Sequence, residues 1–142
     1  QDFDDEQQKA WQSVVDVCDQ FKSADKYVIS VPMWNFGVPY KFKHYIDVIA
    51  QPGQTFSFDP ATGYSGLVTG KPAAVIYARG GAYSGEAAGM DHQKPYVEQI
   101  LGFFGFSEIH PILIEPTLSA PDDVAATEAA SIESARSLAA SL

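Results

Sequence analysis

Two short runs, Tyr27-Val28-Ile29-Ser30-Val31 and Ala73-Ala74-Val75-Ile76-Tyr77-Ala78, are apolar almost throughout and lack the alternation of a half-solvated strand. Such runs read as parallel strands buried on both faces. Each passes at once into a loop, at Pro32 and at Arg79, and each loop leads towards a helical pattern. A third run, Ile109 to Ile114, is interrupted by Pro111 and so belongs at a sheet edge. Between and around these runs lie apolar stripes of helical period. Trp11, Val14, Val15, Cys18 and Phe21 mark a helix over 4–24, and Phe42, Tyr45, Ile46 and Ile49 mark another that Pro39 opens and Pro52-Gly53 stops. Val97, Ile100, Leu101 and Phe104 mark a third over 91–104, and a last helix begins near Pro121 with two aspartates in its first turn. Strands alternating with helices imply right-handed crossovers, hence an α/β fold with a doubly wound parallel sheet and helices on both faces.

One segment does not fit the alternation. Thr55 to Phe58 and Tyr64 to Leu67 flank the turn-forming Asp59-Pro60-Ala61-Thr62-Gly63, which reads as a hairpin-like insert. With 142 residues, 46% of them hydrophobic, the chain can bury a core and is expected to form a single domain.

Composition removes several function classes. A net charge of -9 repels a polyanion, so nucleic acid is not an expected partner. Cys18 has no second cysteine to pair with, and no Cys and His share metal-ligand spacing, so no metal is expected and a reducing cytoplasm is the expected setting. No apolar stretch is long enough to span a bilayer, and residues 1–8 are polar where a secretory signal is apolar. The start at Gln1, almost directly into a helix, reads as that of an excised or partial sequence. His44, His92 and His110 stand apart, with no hydrolytic triad or metal signature around them, and read as incidental.

In a doubly wound sheet, ligands bind beyond the carboxyl ends of the strands. The first loop there is Pro32-Met33-Trp34-Asn35-Phe36-Gly37-Val38-Pro39. Its aromatic rings and methionine offer apolar surface to a flat heteroaromatic ligand, and Asn35 offers an amide to its rim. Alternatively, Trp34 and Phe36 pack beneath the helix that follows. The second loop, Arg79-Gly80-Gly81-Ala82-Tyr83-Ser84-Gly85, has a mobile-looking composition. Its glycines let backbone N–H groups approach a ligand, and Arg79 either favours an anionic ligand or serves as a surface ion-pair partner.

The residues from Val31 to Gly37, Gly53-Gln54-Thr55-Phe56, Gly66-Leu67-Val68-Thr69-Gly70-Lys71, Ala78-Arg79-Gly80-Gly81, and Pro95 through Leu101-Gly102-Phe103-Phe104-Gly105-Phe106 resemble, in order and spacing, the FMN-dependent NADH:quinone oxidoreductase and azoreductase family. The resemblance implies a flavodoxin-like fold in which Pro32, Met33, Trp34, Asn35, Phe36 and Gly37 lie along the flavin, with Trp34 where the family usually has Tyr. It also implies that Ala78, Arg79, Gly80 and Gly81 meet the pyrimidine end of the ring, with Ala78 in place of the family's Ser, and that Tyr83 lies near the rim. Phe103 falls off its helix's apolar stripe and so reads as an exposed ring, which marks an interface or a ligand wall. By the same resemblance, Phe58 and Phe103 either wall the pocket above the flavin or form a contact of a homodimer.

No protein nucleophile is implied, because the chemistry would rest on FMN: NADH or NADPH gives hydride to the flavin and leaves, and a quinone or azo compound takes the electrons in a ping-pong scheme. The resemblance further implies that the first two strands and the phosphate-binding loop, the N-terminal β-α-β portion of the domain, precede residue 1 and are absent here. Two other functions stay open: a flavodoxin-type electron carrier, and a non-catalytic α/β binding module lacking the phosphate site. The hairpin-like insert favours the enzyme over the carrier because it can wall a small-molecule pocket.

Overall fold

The computed structural model describes residues 3–142. Helix α1 (Asp5–Ser23) begins where the Asp4 carboxylate accepts the N–H groups of Glu6 and Gln7, while the Gln7 side chain accepts the N–H of Asp4. This reciprocal capping satisfies donors that a helix start otherwise leaves unpaired. Strand β1 (Tyr27–Pro32) follows, then helix α2 (Tyr40–Ile49). The insert is an antiparallel hairpin of β2 (Phe56–Asp59) and β3 (Gly63–Gly66), whose turn is held by Asp59 accepting from the N–H groups of Ala61 and Thr62. Strand β4 (Pro72–Ala78), helix α3 (Lys94–Phe104), strand β5 (Glu108–Ile114) and helix α4 (Pro121–Ala139) complete the order.

β1, β4 and β5 form one parallel sheet with β4 in the centre. Central position explains the near-continuous apolar sequence of β4, in which Ala73, Val75 and Tyr77 are wholly buried. β5 lies at an edge, as Pro111 requires. β1 departs from the expectation of burial on both faces. It is the other edge strand, Tyr27 and Val31 point into the core, and Val28 is 72% exposed because nothing among the described residues covers that side. The core lies on the Tyr27 and Val31 face, where Cys18, Phe21, Ile46, Ile49, Leu101 and Phe104 meet the sheet. Cys18 is wholly buried there, and its burial raises the thiol's pKa.

α3 ends at Gly105, whose left-handed φ of 113° suits glycine. The hairpin abuts this end so closely that a Cβ on Gly66 would fall 2.3 Å from the Gly105 nitrogen. The hairpin is thereby locked to α3. Phe103, expected as an exposed ring, is half-buried instead, because it packs on the hairpin rings of Phe56 and Tyr64 at 4.7 and 5.5 Å. Among the described residues no helix is long and apolar enough to cross a membrane.

Candidate functional site

The two loops meet at the carboxyl end of the sheet. β1 and β4 end in register, Pro32 opposite Ala78, and the Met33 N–H donates to the Ala78 carbonyl at 2.8 Å. In the first loop Trp34 and Gly37 exchange both backbone hydrogen bonds at 3.0 Å, closing a tight turn around Asn35 and Phe36. Those two residues have φ values of 49° and 68°, the left-handed pair of a type I′ turn. Asparagine tolerates that region, whereas a phenylalanine in it carries strain of about 1–3 kcal/mol. The turn leaves Trp34 55% exposed and Phe36 49% exposed. Neither ring is packed away beneath α2, so the packing alternative for these two residues fails. Pro32 and Asn35 are exposed, while Met33 and Gly37 are half-buried.

The second loop is held differently. The Arg79 N–H donates to Ile114, and the carbonyls of Arg79 and Gly80 accept the N–H groups of Thr117 and Leu118 at 2.9 and 3.0 Å. The loop is therefore laced to the segment after β5, and residues 85–90 beyond it form a 3-10 turn. The N–H groups of Gly80, Gly81 and Ala82 have no acceptor among the described residues. Gly80 has a packing reason for its missing side chain, since a Cβ there would fall 2.8 Å from the Leu118 Cδ1 atom. Gly81 is open by comparison, with only the Tyr83 ring in ordinary contact range.

Arg79 is an ion-pair partner, but a buried one rather than one at the surface. It is 2% exposed, its Nη1 lies 2.5 Å from Asp91 Oδ2, and its Nε lies 3.3 Å from Glu115 Oε2 in an ion pair not aligned as a hydrogen bond. Its guanidinium also sits between the rings of Tyr77 and Tyr83, 5.8 and 5.7 Å from their centroids. Two carboxylates thus face its single charge inside the protein. Tyr83 joins the loops: its ring meets Phe36 edge-on at 6.4 Å and its N–H donates to Glu115.

Asp91, Gln93 and Glu115 escaped the sequence reading, and His92, read as incidental, contributes through its backbone. The His92 N–H donates to the Phe36 carbonyl at 2.9 Å, and the wholly buried Gln93 donates to the Val31 carbonyl at 2.8 Å. One signal was available for Asp91, an acidic residue just ahead of a helical stripe, where its Oδ1 indeed accepts the N–H groups of Gln93 and Lys94. Glu115 stands at the carboxyl end of a strand, the place that ligand-binding rules single out. Beside the first loop a cleft of about 540 Å³ is lined by Trp34, Asn35, Tyr40, Lys43, His92 and Tyr96, and none of residues 78–83 borders it. A second cleft, of about 480 Å³, shares Tyr96 and reaches Phe103. Burial raises the pKa of Tyr96 and of Tyr77. Phe58 is 58% exposed and is linked to Phe103 through Tyr64, 4.9 and 5.5 Å from the two. No group of three or more His, Cys, Asp or Glu among the described residues is placed to hold a metal ion.

The arrangement offers two exposed rings (Trp34, Phe36) and a half-buried one (Tyr83), an amide side chain (Asn35) and open backbone donors (Gly80 to Ala82). That set fits a flat heteroaromatic group with a polar rim, and the flavin ring is such a group.

A family model described as "Flavodoxin-like fold" matches residues 1–138. The chain is 52% identical over 120 residues to an FMN-dependent NADH:quinone oxidoreductase of Desulfotalea psychrophila, the match covering 84% of the chain and 57% of that relative. The fold superposes on the crystal structure of an azoreductase from Bacillus anthracis str. Sterne with a TM-score of 0.88 and 34% identity, covering 97% of the chain and 66% of that structure. An FMN-dependent NADH-azoreductase from Bacillus anthracis str. Ames Ancestor, solved in complex with FMN, gives 0.79 and 29% over 96% and 66%. The chain thus spans less than two thirds of the length of each of these three proteins.

Proposed function

The chain belongs to the flavodoxin-like family that includes the FMN-dependent NADH:quinone oxidoreductases and azoreductases, and from that premise we propose that it forms the greater part of an enzyme carrying electrons from NADH or NADPH to quinones or azo compounds. The observation that carries this reading is the meeting of the two loops, which puts exposed aromatic surface beside unpaired backbone donors at the carboxyl end of the sheet. FMN, when bound, supplies a centre that accepts hydride from the donor and yields electrons to the acceptor in alternate half-reactions.

The residues of the chain have narrower tasks. Met33, Trp34, Asn35 and Phe36 orient the ring and shield it from water, as the exposed rings of the type I′ turn suggest. The N–H groups of Gly80, Gly81 and Ala82 hold its polar edge, where preorganised donors stabilise added negative charge. Tyr83 closes the rim between the two loops. Phe58 and Phe103 wall the acceptor side, and the exposed hairpin rings are where a second copy of the chain would complete a homodimer. Residues 1–142 would then be one flavodoxin-like domain whose first β-α-β portion lies outside the chain, a reading that the open edge of β1 supports. A cytoplasmic setting accords with the free, buried Cys18.

The test is an absorbance and fluorescence titration with FMN of the 142-residue chain, beside a version extended by an N-terminal strand, phosphate loop, helix and second strand. The reading predicts that the extended protein binds FMN and that NADH bleaches its visible spectrum. Binding by neither protein would defeat it in favour of the binding module.

A further inference from the structure

Residues 91–93 contact both loops and the end of β1. Asp91 holds Arg79 of the second loop, the His92 N–H holds the Phe36 carbonyl of the first, and the Gln93 amide holds the Val31 carbonyl at the end of β1. Asp91 is bound on both its oxygens: Oδ2 takes the guanidinium, while Oδ1 takes the N–H groups of Gln93 and Lys94 at 2.9 and 3.0 Å. Its position is thereby fixed to the rigid start of α3. From the other side Glu115 Oε2 lies against Arg79 Nε and also accepts the Tyr83 N–H at 3.3 Å. The second loop is thus held at both ends, at Arg79 and at Tyr83, and the unpaired donors of Gly80, Gly81 and Ala82 lie between them.

We propose that Asp91 and Glu115 are positioning residues of the flavin site: acting through Arg79 and the Tyr83 backbone, the two carboxylates fix the donor loop against the aromatic loop. The inference rests on the flavin reading given above. Neither carboxylate needs to touch the ring. A guanidinium presents its donors in a planar fork, so two carboxylates in fixed places set its orientation and, through its own backbone, that of the next residues. Donors held ready in this way bind without first being ordered, and losing that order weakens affinity more than it weakens the fold. The pair differs in one respect. Glu115 can be replaced by a neutral acceptor of the same shape, whereas Asp91 has both oxygens engaged with donors and admits no such replacement.

The experiment compares Asp91→Ala, Glu115→Ala and Glu115→Gln with the unaltered full-length protein, by FMN fluorescence titration and by amide hydrogen exchange without flavin. The expected result is FMN affinity lowered about tenfold in both alanine variants and within about twofold in Glu115→Gln. In Asp91→Ala the amides of Thr117 and Leu118, which bond the second loop, should exchange about tenfold faster while those of β1 and β4 hold within about twofold. Unchanged affinity and exchange in both alanine variants would overturn the proposal, as would exchange that quickens equally throughout the sheet. If the unaltered protein binds no FMN, the functional reading fails, and the exchange data alone decide whether the carboxylates order the loop.

Discussion

The two loops do neighbouring work with opposite means. The first is a tight turn closed by its own backbone and tied outside itself only by neutral backbone hydrogen bonds, such as that from the His92 N–H to Phe36, with strain at Phe36 and two rings turned outwards. The second carries little side-chain surface and is held by a buried ion triad whose members come from three separate parts of the chain. The difference teaches that contact surface can be built locally, while donor geometry needs anchors from outside the loop. It also predicts where each loop is vulnerable.

The largest effect should come from Arg79→Met. It would leave Asp91 and Glu115 buried without their counter-charge, a change that destabilises by about 3–5 kcal/mol in chemical denaturation. A loss below about 1 kcal/mol would show that the triad does not anchor the second loop. Gly66→Ala comes next and acts as a control outside both loops. Its Cβ would meet the backbone of Phe104 and Gly105 at 2.3–2.4 Å, so a loss of about 1–3 kcal/mol is expected, with the hairpin displaced from α3. Unaltered thermal stability would mean the contact relaxes freely.

Tyr77→Phe should be stabilising by about 1 kcal/mol, since the wholly buried Tyr77 hydroxyl has no hydrogen-bond partner. The same variant sharpens a pH effect. Burial raises the Tyr77 pKa above its unfolded value near 10, so the protonated phenol's contribution to stability is intact below about pH 10 and is lost as pH rises beyond it. Tyr27, Tyr45 and Tyr96 are shifted the same way by burial, so stability should fall above that pH and fall less steeply in Tyr77→Phe. Identical alkaline profiles would contradict the assignment. The smallest change is expected for Phe36→Gly. Relief of the left-handed strain should offset the lost packing on Tyr83 to leave stability within about 1 kcal/mol, while FMN affinity falls. A large loss of stability there would mean that the packing of Phe36 on Tyr83 outweighs the relief of strain.

The same contrast governs what could be read in advance. The strand–loop–helix order, the hairpin and the edge position of β5 followed from periodicity and from Pro111, because these are local signals. The first loop stood out because Met33, Trp34 and Phe36 are unusual in a solvent-facing connector. β1 was misjudged because a strand's own sequence records the faces it covers and not the neighbours at its side. The burial of Arg79 was not legible because its partners lie 12 residues away at Asp91 and further still at Glu115, and nothing in a lone arginine names them. Leu118 fills the space beside Gly80, a packing reason for that glycine which its sequence neighbours do not show.

The central claim is that bound flavin lies against the first loop. It is tested most directly by titrating FMN into Trp11→Phe and Trp34→Phe proteins while following tryptophan emission, since these are the two tryptophans of the chain. The account predicts strong quenching in Trp11→Phe, where Trp34 remains, and little change in the emission of Trp11 in Trp34→Phe. Tight FMN binding that leaves Trp34 emission undisturbed would place the flavin elsewhere and contradict it.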